Sequence, residues 1–196
     1  MRSLLMGPPG AGKGNQAQRV AGRFGIPAVS TGELFRSHVA QGTALGLQIR
    51  GCLDAGEYVP DDLTNRMVRD RTAETDAASG FVLDGYPRTL AQVDKLDAML
   101  TARGHALDAV VVLTVDHDEL VGRLLQRAQI ESRVDDTVDV IRRRQELYLE
   151  QTRPLVEVYR ARALLVEIDG TGEVDKVTKR VIEALDRVPA FTSVVD

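Results

Sequence analysis

Gly7-Pro8-Pro9-Gly10-Ala11-Gly12-Lys13-Gly14-Asn15 lies between a short apolar run, residues 1–6, and a helical pattern over residues 13–24 that Gly25 and Pro27 end. A strand that feeds a glycine-rich turn and then a helix brings backbone N–H groups close together, because glycine takes conformations that let amides converge. The helix N-terminus adds positive potential, and Lys13 supplies a mobile cation for outer phosphate oxygens. A loop that cradles a polyphosphate therefore outweighs the plainer reading of a tight strand-to-helix turn. The residue after the lysine is Gly14, not the Ser or Thr that would ligate magnesium directly. A metal is expected to reach the protein through water instead, anchored by Asp84 at the end of an apolar run. A turn or helix cap is the simpler role for that aspartate.

Working outward, Ala28-Val29, Phe81-Val82-Leu83, Ala109-Val110-Val111-Val112-Leu113 and Leu164-Leu165-Val166-Glu167-Ile168 are short apolar runs bounded by turn or polar residues. With residues 1–6 they make five strands. Helical segments separate them, so the expected fold class is α/β, a parallel five-stranded sheet with helices on both faces. Two stretches break the alternation. Residues 30–59 are helical in pattern, interrupted by Gly42, Gly46, Gly51 and Gly56; residues 126–136 are polar and charged. Such inserts are where an α/β enzyme carries moving parts. The expected division is a core of residues 1–29, 60–125 and 137–188, two mobile inserts at 30–59 and 126–136, and a flexible tail at 189–196.

A chain of 196 residues suits one domain with a substantial core. Its apolar fraction of 43% and charged fraction of 28% are ordinary for a globular protein. The net charge of −4 argues against nucleic acid or an anionic membrane as partner, so an anionic substrate needs local cations. Cys52 is the only cysteine, which rules out an internal disulfide and a multi-thiolate zinc site and favours a reducing compartment. No run approaches the roughly 20 apolar residues needed to span a bilayer. The apolar run at the start is expected to leave no room for a signal peptide, and the expected location is the cytoplasm. His38, His105 and His117 show no metal-binding spacing and read as surface or capping residues. Cys52 reads as a small packed hydrophobe.

Phosphoryl transfer requires alignment of two substrates and neutralisation of the equatorial oxygens more than covalent chemistry. Arginine suits this because its planar fork meets two oxygens and stays charged. Arg36 lies in the first insert, Arg88 follows a strand, Arg127 and Arg133 lie in the second insert, and Arg144 is on the next helix. Each alone would read as a solvated side chain, and Arg142 and Arg143 are given that reading.

Ser30-Thr31-Gly32-Glu33-Leu34-Phe35-Arg36, Asp84-Gly85-Tyr86-Pro87-Arg88 with Gln92, Arg127 through Arg133-Val134-Asp135-Asp136, and the loop ending Gly12-Lys13-Gly14 together resemble the signatures of adenylate kinases, in order and spacing. The resemblance runs from Met1 to about Gly172. It implies the P-loop kinase fold and a reversible transfer from ATP-Mg to AMP giving two ADP. It also implies that Gly10, Ala11, Gly12, Lys13, Gly14 and Asn15 wrap the ATP phosphates, with Arg127 and the Gly172 backbone also on ATP. Thr31, Arg36, the Glu57-Tyr58-Val59 backbone, Gly85, Tyr86, Pro87, Arg88 and Gln92 would hold AMP. Arg133 and Arg144 would reach the AMP phosphate and the moving group, and Lys13, Arg88, Arg127, Arg133 and Arg144 form the implied catalytic set. Residues 30–59 would be the monophosphate flap and 126–136 a short lid that carries no zinc. The family is usually monomeric. Its loop normally reads Gly-Lys-Gly-Thr-Gln, whereas Asn15 stands here in place of threonine, which is expected to alter nucleotide affinity without abolishing activity. A kinase for UMP, CMP or GMP, or a nucleotide-binding protein with weakened catalysis, are the alternatives; Thr31 and Gln92 favour AMP.

Overall fold

The computed structural model describes residues 1–116, 119–120, 122–124 and 137–188. The expected lid at 126–136, with Arg127 and Arg133, lies outside these residues, as do His117 and the tail at 189–196.

Five strands form an all-parallel sheet: β1 (Arg2–Met6), β2 (Ala28–Ser30), β3 (Phe81–Asp84), β4 (Ala109–Thr114) and β5 (Leu165–Asp169), in the order β2-β3-β1-β4-β5. This is the sheet implied by the five apolar runs. The α-helices whose bounds lie wholly within the described residues are α1 (Lys13–Phe24), α2 (Thr31–Ala40), α3 (Ala44–Ala55), α4 (Asp61–Arg71), α5 (Leu90–Thr101), α6 (Val138–Leu147), α7 (Leu155–Ala161) and α8 (Val174–Leu185). A π-helical turn, Tyr148–Thr152, joins α6 to α7.

Strand residues alternate between two cores, because successive side chains of a strand point to opposite faces. Leu4, Met6, Leu83, Val110 and Val112 pack on one face with Val93, Leu96 and Leu100 of α5 and Leu155 and Tyr159 of α7. Leu5, Val82, Val111 and Leu113 pack on the other with Ala17 and Val20 of α1 and Val177, Val181 and Leu185 of α8. Both faces are covered, which is why the strands are largely apolar, with most of their polar residues at the strand ends. Phe35, Ile49, Val59 and Met67 make a third, smaller core beneath α2 and α3.

The chain leaves β1 toward β2 and β3, then crosses to β4 on the other side. Two neighbouring connections thus diverge at the carboxyl end of β1, opening the crevice where open parallel sheets bind ligands. In register, Leu5 of β1 stands opposite Asp84, the last residue of β3. That pairing sets the carboxylate beside the start of the glycine loop.

Candidate active site

A cavity of about 840 Å³ occupies this crevice. One end is walled by Gly10 to Gln16, Arg123, and Gly172 to Val174; the other by Gly32, Phe35, Arg36, Leu53 and Gly56 to Val59. Asp84 to Arg88, Arg144, Tyr148 and Thr152 also line it.

The glycine loop is shaped by positions that no side chain tolerates. Gly10 has φ +88°, and a Cβ there would sit 2.9 Å from Leu124 Cγ. Gly12 precedes α1 with φ +83° and has no side chain to cap it, which leaves the first-turn amides of α1 for a ligand. Lys13 Nζ donates to Pro8 O at 2.8 Å, so the cation lies folded against its own loop. Gln145 of α6 donates to Pro9 O at 3.1 Å and ties the loop to the helix that carries Arg144. Asp84 is 9% exposed, and its Oδ2 lies 3.8 Å from where a Cβ on Gly14 would be. The carboxylate therefore faces the loop across a gap left by a missing side chain.

Arg88 is held from several sides. Its Nε donates to Gly85 O at 2.7 Å, and its guanidinium lies 4.9 Å from the centroid of the Tyr58 ring. Burial lowers its pKa from the ordinary arginine value; Tyr58 and Asp84 oppose that shift, and the nearby positive charge of Arg144 adds to it. Two guanidinium groups close enough to repel mark a place built for an anion. Gly85 (φ +77°) makes this approach possible, since a Cβ would meet Thr31 Oγ1 at 2.8 Å and Arg88 Nη2 at 3.0 Å.

Of the described residues singled out from sequence, Gly10 to Asn15, Arg36, Glu57 to Val59, Asp84 to Arg88, Arg144 and Gly172 share this cavity wall. Thr31 and Gln92 sit behind it, each 1% exposed. Thr31 Oγ1 donates to Gly85 O at 3.0 Å and so braces the turn that presents Arg88.

Arg123, Tyr148 and Thr152 are among the lining residues that escaped the sequence reading. Arg123 Nη2 donates to Glu119 Oε1 at 2.5 Å, Gly170 O at 2.9 Å and Gly172 O at 3.2 Å, and the Gly172 amide donates to the same Glu119 oxygen at 3.2 Å. The available signal was its spacing, four residues after Glu119 and so on the same helical face. Tyr148 and Thr152 lie on the π-helical turn, for which the sequence carries no local signal. Arg143 is partly solvent-exposed, in line with its solvated reading, and also carries an ion pair. Arg143 makes a two-point ion pair with Glu57, Nε to Oε1 at 2.7 Å and Nη2 to Oε2 at 3.3 Å, because α6 packs against the end of α3.

Among the described residues no group of three or more His, Cys, Asp or Glu could hold a metal ion, and no helix is long and apolar enough to cross a membrane.

A family model described as adenylate kinase matches residues 5–164. The chain is 64% identical to the adenylate kinase of Nocardioides sp. over 189 residues, 96% of this chain and 99% of that protein. It is 54% identical to the adenylate kinase of Kocuria rhizophila, covering 95% of this chain and 99% of that one. To the adenylate kinase of Thermobifida fusca it is 52% identical over 94% of this chain and 98% of the relative.

Proposed function

The chain belongs to the adenylate kinase family and is an ATP:AMP phosphotransferase, and from that premise we propose that its cavity takes ATP at the Gly10 to Asn15 end and AMP at the Arg36 end. In the reaction ATP and AMP give two ADP, reversibly.

Gly10 to Asn15 offer amides to the ATP phosphates, with Lys13 moving from Pro8 O onto the outer oxygens. Arg123 and the Gly172 backbone border the space for the ATP base. Arg36 and Arg88 take the AMP phosphate, and Arg144 shares its charge between that phosphate and the group in transit. Arg127 and Arg133 complete this set when the 126–136 lid closes and excludes water. Thr31 and Gln92 serve the AMP base from behind the wall. The 30–59 segment acts as the flap.

Magnesium accompanies ATP. The donor set fits a hydrated ion, because Asp84 offers a carboxylate beside the gap at Gly14 and the loop supplies no hydroxyl ligand. Magnesium bound to the phosphates would neutralise charge as the phosphoryl group moves. The enzyme works in the cytoplasm as a monomer, without zinc, nucleic acid or a membrane.

The observation that carries this division is the convergence of Arg36, Arg88 and Arg144 on one cavity shared with Lys13. Replacement of Arg36 by methionine should raise KM for AMP and leave KM for ATP near the parent value. Replacement of Arg144 should cut kcat by about 10³-fold, as losses of transition-state arginines do. A rise in the ATP constant alone, from Arg36→Met, would reverse the assignment of the two ends.

A further inference from the structure

The side-chain amide of Gln92 is held between two partners of opposite kind. Its Nε2 donates to Asp61 Oδ1 at 2.5 Å, and its Oε1 accepts from the backbone N–H of Arg88 at 2.7 Å. A carboxylate only accepts and a backbone N–H only donates. The reverse orientation of the amide would set oxygen against oxygen and N–H against N–H, so it loses both bonds at once. Asp61 is fixed in turn: Thr89 Oγ1 donates to Asp61 Oδ2 at 2.9 Å, and Thr89 Oγ1 also accepts from Gln92 N at 3.2 Å as the N-cap of α5. Tyr86 anchors the same turn of α5 from below, its hydroxyl 3.2 Å from Gln92 O.

A primary amide has two N–H donors and two acceptor lone pairs. Asp61 and the Arg88 amide use one of each, leaving one donor and one acceptor in a set order. A 6-aminopurine presents an amino donor beside the N1 acceptor. A 6-oxopurine presents an O6 acceptor beside an N1–H donor, the same pair with its order exchanged. An amide free to turn over would serve both edges, and a locked amide serves one. Resting on the reading that Gln92 meets the base of the monophosphate, we propose that Asp61 is a specificity-determining positioning residue: it locks the Gln92 amide in the sense that accepts a 6-aminopurine and refuses a 6-oxopurine. In this conformation Gln92 is covered, so the base reaches it as the residues around it rearrange.

The discriminating pair of substrates is AMP and inosine monophosphate, which differ only at position 6 and its neighbouring nitrogen. The parent enzyme should prefer AMP in kcat/KM. Asp61→Ala should shrink that preference at least tenfold, through a higher KM for AMP and a lower one for inosine monophosphate, with kcat for AMP at saturation little changed. Asp61→Asn keeps an acceptor toward Gln92 and a donor toward Thr89, so it should restore most of the preference. Should the alanine protein not fold, Asp61→Ser makes the same test, since serine suits a helix start but is too short to reach Gln92. An unchanged AMP preference in a folded Asp61→Ala or Asp61→Ser protein overturns the proposal, as does an Asp61→Asn protein no better than the alanine one. Gln92→Leu separates this outcome from failure of the underlying reading. If Gln92→Leu leaves the preference intact, Gln92 does not read the base. If Gln92→Leu abolishes it while the folded short Asp61 variants retain it, only the role of Asp61 falls.

Discussion

Tyr58 and Arg88 form a stacked pair, the guanidinium 4.9 Å from the ring centroid, although one belongs to the segment after α3 and the other follows β3. Thr152 clamps both. Its hydroxyl donates to Arg88 O at 3.0 Å, which leaves it to accept the Tyr58 hydroxyl proton at 2.9 Å. A side chain on the π-helical turn thereby joins the segment after α3 to the arginine that follows β3. A desolvated cation–π contact contributes about 0.5–2 kcal/mol. Removing the ring with Tyr58→Ala should lower kcat/KM for AMP by roughly 3- to 30-fold. Tyr58→Phe keeps the ring and loses only the bond to Thr152, so it should stay within about threefold of the parent. Steady-state rates with AMP varied at saturating ATP decide the matter; equal losses in both variants would show that the hydroxyl, not the ring, holds Arg88.

What the sequence made legible follows from which interactions are local. The glycine loop and the five strands were readable because their periods and turn residues lie within a few positions of each other. Arg36, Arg88 and Arg144 were singled out by motif spacing, and the sheet order explains why they meet. The ion pair of Arg143 was not readable because its partner, Glu57, is 86 positions away and nothing near Arg143 announces it. Tyr148 and Thr152 were missed for a related reason: a π-helical turn depends on how the chain packs between α6 and α7, not on its own residues. The Asp61–Gln92 bond spans 31 positions between two helices and was equally invisible.

Gly56 tests how closely α6 and the end of α3 must approach. Its φ is +72°, and a Cβ there would lie 2.9 Å from Val140 O, a backbone atom that cannot yield cheaply. Gly56→Ala should cost about 2 kcal/mol or more, combining left-handed strain with the clash. For a chain of this length each kcal/mol shifts the melting temperature by roughly 2–4 °C. Arg143→Gln removes the exposed ion pair beside the same contact and should barely move that temperature, because exposed pairs are screened by water. Parallel thermal melts of the two variants check the ordering, which fails if Arg143→Gln is the more damaging change.

Asn15 is the residue at which the loop departs from the pattern of the family it resembles, and its side chain is exposed on the cavity wall. The backbone N–H remains available to a phosphate. The larger amide takes more room on the cavity wall than a threonine would. Asn15→Thr should lower KM for ATP-Mg by about fivefold, the equivalent of one net hydrogen bond of roughly 1 kcal/mol, with kcat changed less. Identical constants for the two proteins would mean that the substitution carries no functional cost.

Two buried tyrosines make opposite predictions at neutral pH and the same one in alkali. Burial raises the pKa of both Tyr86 and Tyr159 above the ordinary tyrosine value, with the carboxylates of Asp61 and Asp97 adding to the shift of Tyr86 and Asp97 to that of Tyr159. The unfolded chain therefore gives up these protons first. Stability contributed by the neutral phenols is complete below about pH 10 and is lost as pH rises toward the folded-state values. Replacing either residue by phenylalanine should make the alkaline decline shallower. At pH 7 the two separate. Tyr86 donates to Asn65 Oδ1 at 2.7 Å, so Tyr86→Phe strands a buried acceptor and should cost about 1–2 kcal/mol. Tyr159 OH is buried with no hydrogen-bond partner among the described residues, so Tyr159→Phe removes a desolvated hydroxyl and should stabilise by about 1 kcal/mol. Urea titrations at pH 7 and above pH 10 measure both differences, and a Tyr159→Phe protein less stable than the parent at pH 7 would show that the hydroxyl is bonded after all.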